Sequence, residues 1–435
     1  MNDPNGVIQW KGQYHLFYQH NPNSPLWGDM HWGHAVSADL VRWTDCPIAL
    51  APTPGGPDEA GCFSGCAVNH AGVPTLIYTG TRGETNEIQT QCIATGSDDL
   101  MTWHKHPGNP VLDRIPEEAH QNRDFRDPFV WKEGDVWYMV LGSRIQDVGG
   151  AIFLYRSRDL MDWQYLHPLL VGDIHRNGVT WECPNFFKLG DQWVLIISSH
   201  MGTHTASVIY FVGQYENEVF TPIFEGVLDY GELYAPLTLA DDQNRRILFG
   251  WLRESRSRED QARAGWSGVQ AIPRVLGLDR HKRLTMTPIP ELVSVREQHH
   301  HFGTDEITDD AVLDAGGLTL DIAAEFQPDD GGNCGLRLIH SSDGAEHTDI
   351  VYDDANHRLH VSTTPVEGGS TATTVREADH ELAAGERLQL RILVDGSVIE
   401  IIANDRTGLV HRVYPSHTDY NQVQLLGTAA QVRSL

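Results

Sequence analysis

The sequence predicts an all-β protein: a five-bladed β-propeller followed by a C-terminal β-sandwich. Three observations point to it. First, a Ser-x-Asp-Leu-x-x-Trp pattern occurs at Ser37-Ala38-Asp39-Leu40-Val41-Arg42-Trp43 and recurs from Ser97 to Trp103 and from Ser157 to Trp163, a spacing of 60 residues. Self-similarity at a fixed period, with several short strands per unit, marks radially repeated sheets. Second, 41 Gly and 22 Pro without a long amphipathic helical stretch favour many short strands and turns. Third, the repeat stops near residue 290 and segments of alternating polarity take over.

The elements follow in order. Each of the first three units pairs an aromatic or β-branched run with a second strand that ends in the Ser-x-Asp-Leu-x-x-Trp turn. The runs are Tyr14–Tyr18, Thr75–Tyr78 and Val136–Val140; the second strands are Trp32–Val36, Thr90–Thr95 and Ala151–Tyr155. Asp and Leu are expected to form and anchor the turn, and Trp to start the outer strand. Two units with weaker signatures complete the count, one through Trp193–Ile197 and Val208–Val212, the other through Arg246–Trp251 to Leu284-Thr285-Met286. The expected domains are therefore residues 1–290, a linker over 291–301 and a sandwich over 302–435. Leu318–Ile322, Leu388–Val394 and Val398–Ile402 are sandwich strands with one buried face. The His299-His300-His301 run is expected to be solvated linker.

Composition excludes several classes. A net charge of −27 argues against nucleic acid or an anionic membrane surface as partner. No apolar run reaches 18 residues, so no membrane span is expected. No charged-then-apolar leader opens the chain, which gives a cytoplasmic location as the expectation. Six Cys in a chain of this size make no dense disulfide framework, and Cys62 and Cys66 lack a second pair at zinc-site spacing. Reduced, mostly buried thiols are expected, and no metal site or cofactor.

The chemistry lies at the heads of the blades. These are Asn2-Asp3-Pro4-Asn5-Gly6, Cys62-Phe63-Ser64-Gly65, Phe125-Arg126-Asp127-Pro128, Trp181-Glu182-Cys183-Pro184 and Tyr234-Ala235-Pro236. The first strand of each blade lines the central channel, so Asp3, Asp127 and Glu182 are expected at homologous positions around one shallow funnel. Any single Asp-Pro or Glu-x-Pro is an ordinary turn; three such motifs at homologous blade positions are not. Cleavage of a glycosidic bond needs one carboxylate at the anomeric carbon and another carboxyl group to protonate the leaving oxygen. Further negative charge stabilises the oxocarbenium-like transition state. Repulsion and partial desolvation are expected to raise the Glu182 pKa. Pairing of Arg126 with Asp127 is not assured, because adjacent strand residues point to opposite faces.

These motifs resemble the three signatures of glycoside hydrolase family 32, which contains invertases, sucrose-6-phosphate hydrolases, inulinases and levanases. Supporting matches are Gln19-His20-Asn21-Pro22, Trp27-Gly28, Trp32-Gly33-His34, Phe63-Ser64-Gly65, Asp229-Tyr230-Gly231 and, distally, Asp395–Glu400. The resemblance implies a propeller plus sandwich, and a retaining, metal-independent attack on β-D-fructofuranosides. By motif, Asp3 resembles the nucleophile, Glu182 the general acid/base, and Asp127 the residue that holds sugar hydroxyls and stabilises the transition state. Asn2, Gln19, Trp27, Phe63, Ser64, Arg126 and Trp251 resemble fructose-pocket residues. Family members carry an aromatic residue just ahead of Asn-Asp-Pro; here Met1 stands there, and a charged terminus so near is expected to lower the Asp3 pKa. A fructosyltransferase using the same intermediate, or an inactive carbohydrate-binding propeller, are the competing readings. Substrate choice among sucrose, its phosphate and fructans, and the oligomeric state, are not legible.

Overall fold

The computed structural model describes residues 1–201, 206–303, 308–364, 374–416, 422–428 and 431–435. It divides into two compact units. One comprises Met1–Val227, Tyr234–Leu284 and Pro288–Leu292; the other comprises Leu228–Leu233, Thr285–Thr287 and Val293–Leu435.

The first unit is built on successive antiparallel sheets. Blade one is Pro4–Trp10, Gln13–His20, His31–Ser37 and Thr44–Leu50, hydrogen-bonded in that order. Blades two, three and four start at Gly61–His70, Phe125–Glu133 and Thr180–Leu189. Blade five is Leu233–Ala240, Arg246–Leu252, Arg274–Leu278 and Leu284–Pro288, with Val269–Gln270 also paired to its second strand. Hydrogen bonds stitch neighbouring blades. Trp10 Nε1 donates to the Asp98 carbonyl at 2.9 Å, Gln91 Nε2 to that of Phe125 at 2.8 Å, and Asn185 Nδ2 to that of Pro236 at 2.7 Å. The last blade returns to the first: Tyr14 donates to Asp241 at 3.2 Å, and Trp43 meets Phe249 edge-on at 6.1 Å. Contacts of this kind close the ring of blades, and radial repetition leaves each sheet only short edges.

The repeated heptapeptide has a physical reason. Leu40, Leu100 and Leu160 adopt left-handed backbone at φ 64°, 60° and 66°, and each is almost fully buried. A branched apolar residue in that region is strained, so its burial and the local bonds must hold it there. Asp39 Oδ1 accepts from the N–H groups of Val41 and Arg42, and Asp159 Oδ1 from those of Met161 and Asp162. In all three copies the Trp indole donates to the Leu carbonyl at 3.0 Å. Only Trp103 starts its outer strand; Trp43 and Trp163 stand one residue ahead of theirs.

The second unit has two sheets. Val312–Gly316, Gln422–Leu426, Asn333–Ile339, His347–Asp353, Arg358–Thr364 and Thr374–Asp379 form one. Thr319–Phe326, Leu388–Asp395, Val398–Ala403, Thr407–Arg412 and Val432–Ser434 belong to the other. Phe326, Ile392 and Ile401 share a core with Leu336, Ile350 and Leu359, the interdigitation that alternating strands produce. Gly396 at φ 53° makes the two-residue turn of the Asp395–Glu400 motif. Asp229 is buried and accepts from the N–H groups of Gly231 and Val410. Residues 291–301 open on a short 3-10 turn within Pro290–Val295, and His299, His300 and His301 are exposed. All six cysteines are unpaired, and only Cys46 is not buried. Among the described residues no helix is long and apolar enough to cross a membrane.

Candidate active site

Four of the inner strands carry the same irregularity near their heads. Two residues face one across the ladder at Gly6-Val7, Phe63-Ser64, Asp127-Pro128 and Cys183-Pro184. A bulge of this type breaks the alternation of faces. Arg126 and Asp127 therefore both reach the site, as do Phe63 and Ser64, and Glu182 and Cys183. This resolves the uncertain Arg126–Asp127 pairing: Arg126 Nε lies 4.0 Å from Asp127 Oδ2. Asp127, Cys183 and Ala235 each precede Pro and each lie in left-handed backbone, at φ 62°, 48° and 48°. Strain of this kind costs on the order of 1–3 kcal/mol per residue and gathers at functional sites.

The three acids do not occupy equivalent register positions, contrary to expectation. Asp3 precedes its strand, Asp127 sits inside its bulge, and Glu182 comes just before its own. The residues equivalent to Glu182 are instead Arg126 and Tyr234, each two places before a Pro. These three form a row. Arg126 Nη2 donates to Glu182 Oε1 at 2.5 Å, and Tyr234 OH donates to Glu182 Oε2 at 2.5 Å. Arg126 is held in turn by Asp124 at 2.8 Å.

Asp3 has a different set of partners. Ser64 Oγ donates to its Oδ2 at 2.5 Å and Asn2 Nδ2 to its Oδ1 at 3.2 Å. Gln19 ties the group together, accepting from Asn2 at 3.1 Å and donating to Ser64 at 2.9 Å. The Cys183 thiol joins the two clusters, 3.8 Å from Asp3 Oδ2 and 3.5 Å from Asp127 Oδ2. Aromatic rings complete the setting. Half-exposed Trp27 meets Phe63 edge-on at 5.9 Å, and Trp251 meets Tyr234 at 6.3 Å. All ten residues singled out from the sequence thus belong to one connected cluster.

Tyr234, Cys183 and Gly142 were missed. Tyr234-Ala235-Pro236 parallels Glu182-Cys183-Pro184, and that parallel could have revealed the tyrosine. Gly142 had no such signal. It pairs with Arg126 where Ser198 pairs with Glu182 one blade on. Ser198 Oγ accepts the Ala235 N–H at 2.9 Å. At Gly142 a Cβ would lie 2.6 Å from the Trp181 carbonyl. No hydroxyl is available there, and the Cys183 N–H donates to Asp127 Oδ2 at 2.9 Å.

The electrostatics correct two expectations. Burial acts on Glu182 to raise its pKa, but the Arg126 charge and the bonds from Tyr234 and Arg126 outweigh it, and the carboxyl is held below its ordinary value. Asp3 is raised, not lowered: burial and the Glu182 charge exceed the help of Ser64 and Asn2. Asp127 is pushed up to about 7 by burial, against the pull of Arg126. The Met1 amino group donates to the Ser267 carbonyl at 2.9 Å. The cluster thus favours the Glu182 anion and lets the two aspartates keep protons to higher pH than ordinary carboxyl groups.

Comparison with known proteins agrees along the whole chain. The model of the glycosyl hydrolases family 32 N-terminal domain matches residues 1–288, and that of the C-terminal domain residues 291–435. A sucrose-6-phosphate hydrolase of Zymomonas mobilis subsp. mobilis is 36% identical over 434 residues, covering 93% of this chain and 82% of that protein. A β-fructofuranosidase of Daucus carota, insoluble isoenzyme 2, is 32% identical, with 98% and 83% covered. The crystal structure of fructan 1-exohydrolase IIa from Cichorium intybus has a TM-score of 0.84 at 27% identity, covering 100% of this chain and 94% of that one. With both domain models matched and the acid cluster at the channel mouth, the chain belongs to glycosyl hydrolase family 32.

Proposed function

We propose that this protein hydrolyses terminal β-D-fructofuranosides of the sucrose type with retention, through a covalent fructosyl-enzyme. The Asp3 carboxylate attacks the anomeric carbon while Glu182 gives its proton to the leaving oxygen. Water then attacks the fructosyl ester; Glu182 takes the water's proton and Asp3 leaves as carboxylate. Asp127 binds sugar hydroxyls and offsets the developing positive charge. Asn2, Gln19 and Ser64 fix Asp3, Arg126 fixes Glu182, and Trp27, Phe63 and Trp251 provide apolar faces for the sugar.

The observation that carries this reading is the convergence of three carboxyl groups in one cluster: Asp3 held by Ser64 and Asn2, Glu182 held by Arg126 and Tyr234, and Asp127 linked to both through Arg126 and the Cys183 thiol. The form that works in the first step has the proton on Glu182 and the charge on Asp3. The three carboxyls titrate as a coupled set. The anionic Glu182 favoured by Arg126 and Tyr234 is the form the second step needs. Catalysis belongs to residues 1–290 and packing to residues 302–435. The six unpaired thiols fit a cytoplasmic location, which fractionation of the native host checks. The function is tested with Asp3→Asn and Glu182→Gln on sucrose, sucrose 6-phosphate, kestose, inulin and levan. Turnover should fall by several orders of magnitude with circular dichroism unchanged; near-normal turnover by either variant would refute the roles.

A further inference from the structure

The inner strands run on past the acids, and their far ends enclose a second cavity of about 720 Å³. Lys132 and Lys188 on its wall are five and six residues beyond Asp127 and Glu182. At about 3.3 Å per strand residue they stand roughly 15–20 Å along the channel from the acids. The cavity is therefore separate from the site already described.

Its chemistry centres on Arg246. The guanidinium lies 4.4 Å from the Phe187 ring centroid, one face covered by the aromatic. Its side chain makes no hydrogen bond or ion pair with any described residue. The adjacent Arg245 shows the contrast, since it bonds both Asp241 and Glu291 at 2.7 Å. Burial without a counter-charge brings the Arg246 pKa down to about 10. A guanidinium kept half-buried without an anion, in a chain of net charge −27, is costly unless something pairs with it.

The rest of the lining suggests what pairs with it. Lys188 adds a second positive charge to the lining beside Arg246, whereas the Lys132 ammonium lies over the Trp137 ring, 5.2 Å from its centroid, and Glu133 accepts from the Trp131 indole at 2.7 Å. A phosphate monoester carries about −1.5 to −2 near pH 7 and matches the guanidinium fork in two parallel hydrogen bonds. Trp131 and Phe187 give flat apolar walls, and Asn69 and Thr238 give polar groups between them, which suits a sugar-sized body. We propose that this cavity binds a small phosphate ester of monosaccharide size, with Arg246 holding the phosphate and Lys188 neutralising it at the mouth.

Titration calorimetry on the whole chain tests this with glucose 6-phosphate, glucose and inorganic phosphate as probes. Glucose 6-phosphate should bind, glucose should not, and inorganic phosphate should bind at least tenfold more weakly. Arg246→Met keeps the stem against Phe187 and should lower affinity at least tenfold, with kcat/KM on sucrose within twofold of wild type. If that variant fails to fold, Lys188→Gln should weaken binding several-fold and flatten its salt dependence. Absence of binding, undiminished binding by Arg246→Met or Lys188→Gln, or competition with sucrose would overturn the proposal. Equal affinity for inorganic phosphate would overturn its sugar part.

Discussion

Replacing Tyr234 by Phe removes one oxygen and leaves the ring that faces Trp251. The lost contact is the 2.5 Å hydrogen bond from the buried Tyr234 hydroxyl to Glu182 Oε2. That bond stabilises the Glu182 anion, so its removal raises the Glu182 pKa. A hydrogen bond to a charged group contributes about 1.5–3 kcal/mol, and 1.36 kcal/mol corresponds to one pKa unit, which gives a rise of about 1–2 units. Glu182 is held low while Asp3 and Asp127 are held high. The acid limb of kcat/KM is therefore set mainly by Glu182, below whose pKa Asp3 is also protonated and cannot attack. In Tyr234→Phe that limb should move to higher pH by about 1–2 units, measured from initial rates on sucrose across the acid range. An acid limb that stays in place, or moves down, would refute the claim that Tyr234 sets the charge state of Glu182.

Other outcomes follow from packing and burial. Gly142→Ala sets a Cβ 2.6 Å from the Trp181 carbonyl and 3.2 Å from the Glu182 Cα. It should cost about 1–3 kcal/mol of stability and lower kcat by roughly 100-fold through displacement of Glu182, read by thermal unfolding and by kcat with KM. Leu160→Ala empties a fully buried turn anchor and should destabilise by about 2–5 kcal/mol, read by denaturant unfolding. His15 and His34 are buried 3.0 Å apart, with pKa values lowered to about 4 and about 3 by burial. Both stay neutral in the fold while the unfolded chain takes protons below about pH 6.5, so their contribution is complete above that pH and is lost as pH falls. Between pH 6.5 and 5 the wild type should lose about 3 kcal/mol relative to a His15→Gln, His34→Gln variant; equal slopes for the two proteins would contradict it.

Much of this was legible in the sequence because a repeat is a local signal. The Ser-x-Asp-Leu-x-x-Trp turn encodes its own hydrogen bonds, so blades one to three could be placed without tertiary information. The same logic placed Asp3, Asp127 and Glu182 in one cluster. What the sequence hid depends on contacts between blades. The bulge at Asp127-Pro128 decides that Arg126 shares a face with Asp127, and no alternation rule could foresee it. The order of the three acidities depends on which donors reach which oxygen. Arg126 and Tyr234 come to Glu182 from the two flanking blades, and that reverses the sign expected from crowding alone. Gly142 acts by what it lacks, and its meaning appears only beside the Trp181 carbonyl.

The covalent route through Asp3 is tested most directly by the stereochemistry of the first product. With methanol as acceptor and sucrose as donor, the initial methyl glycoside, which does not mutarotate, is identified by carbon-13 NMR at low conversion, before the enzyme can hydrolyse it. Two inversions at the anomeric carbon should yield methyl β-D-fructofuranoside; the α-anomer as first product would mean a single displacement by the acceptor and no fructosyl-Asp3.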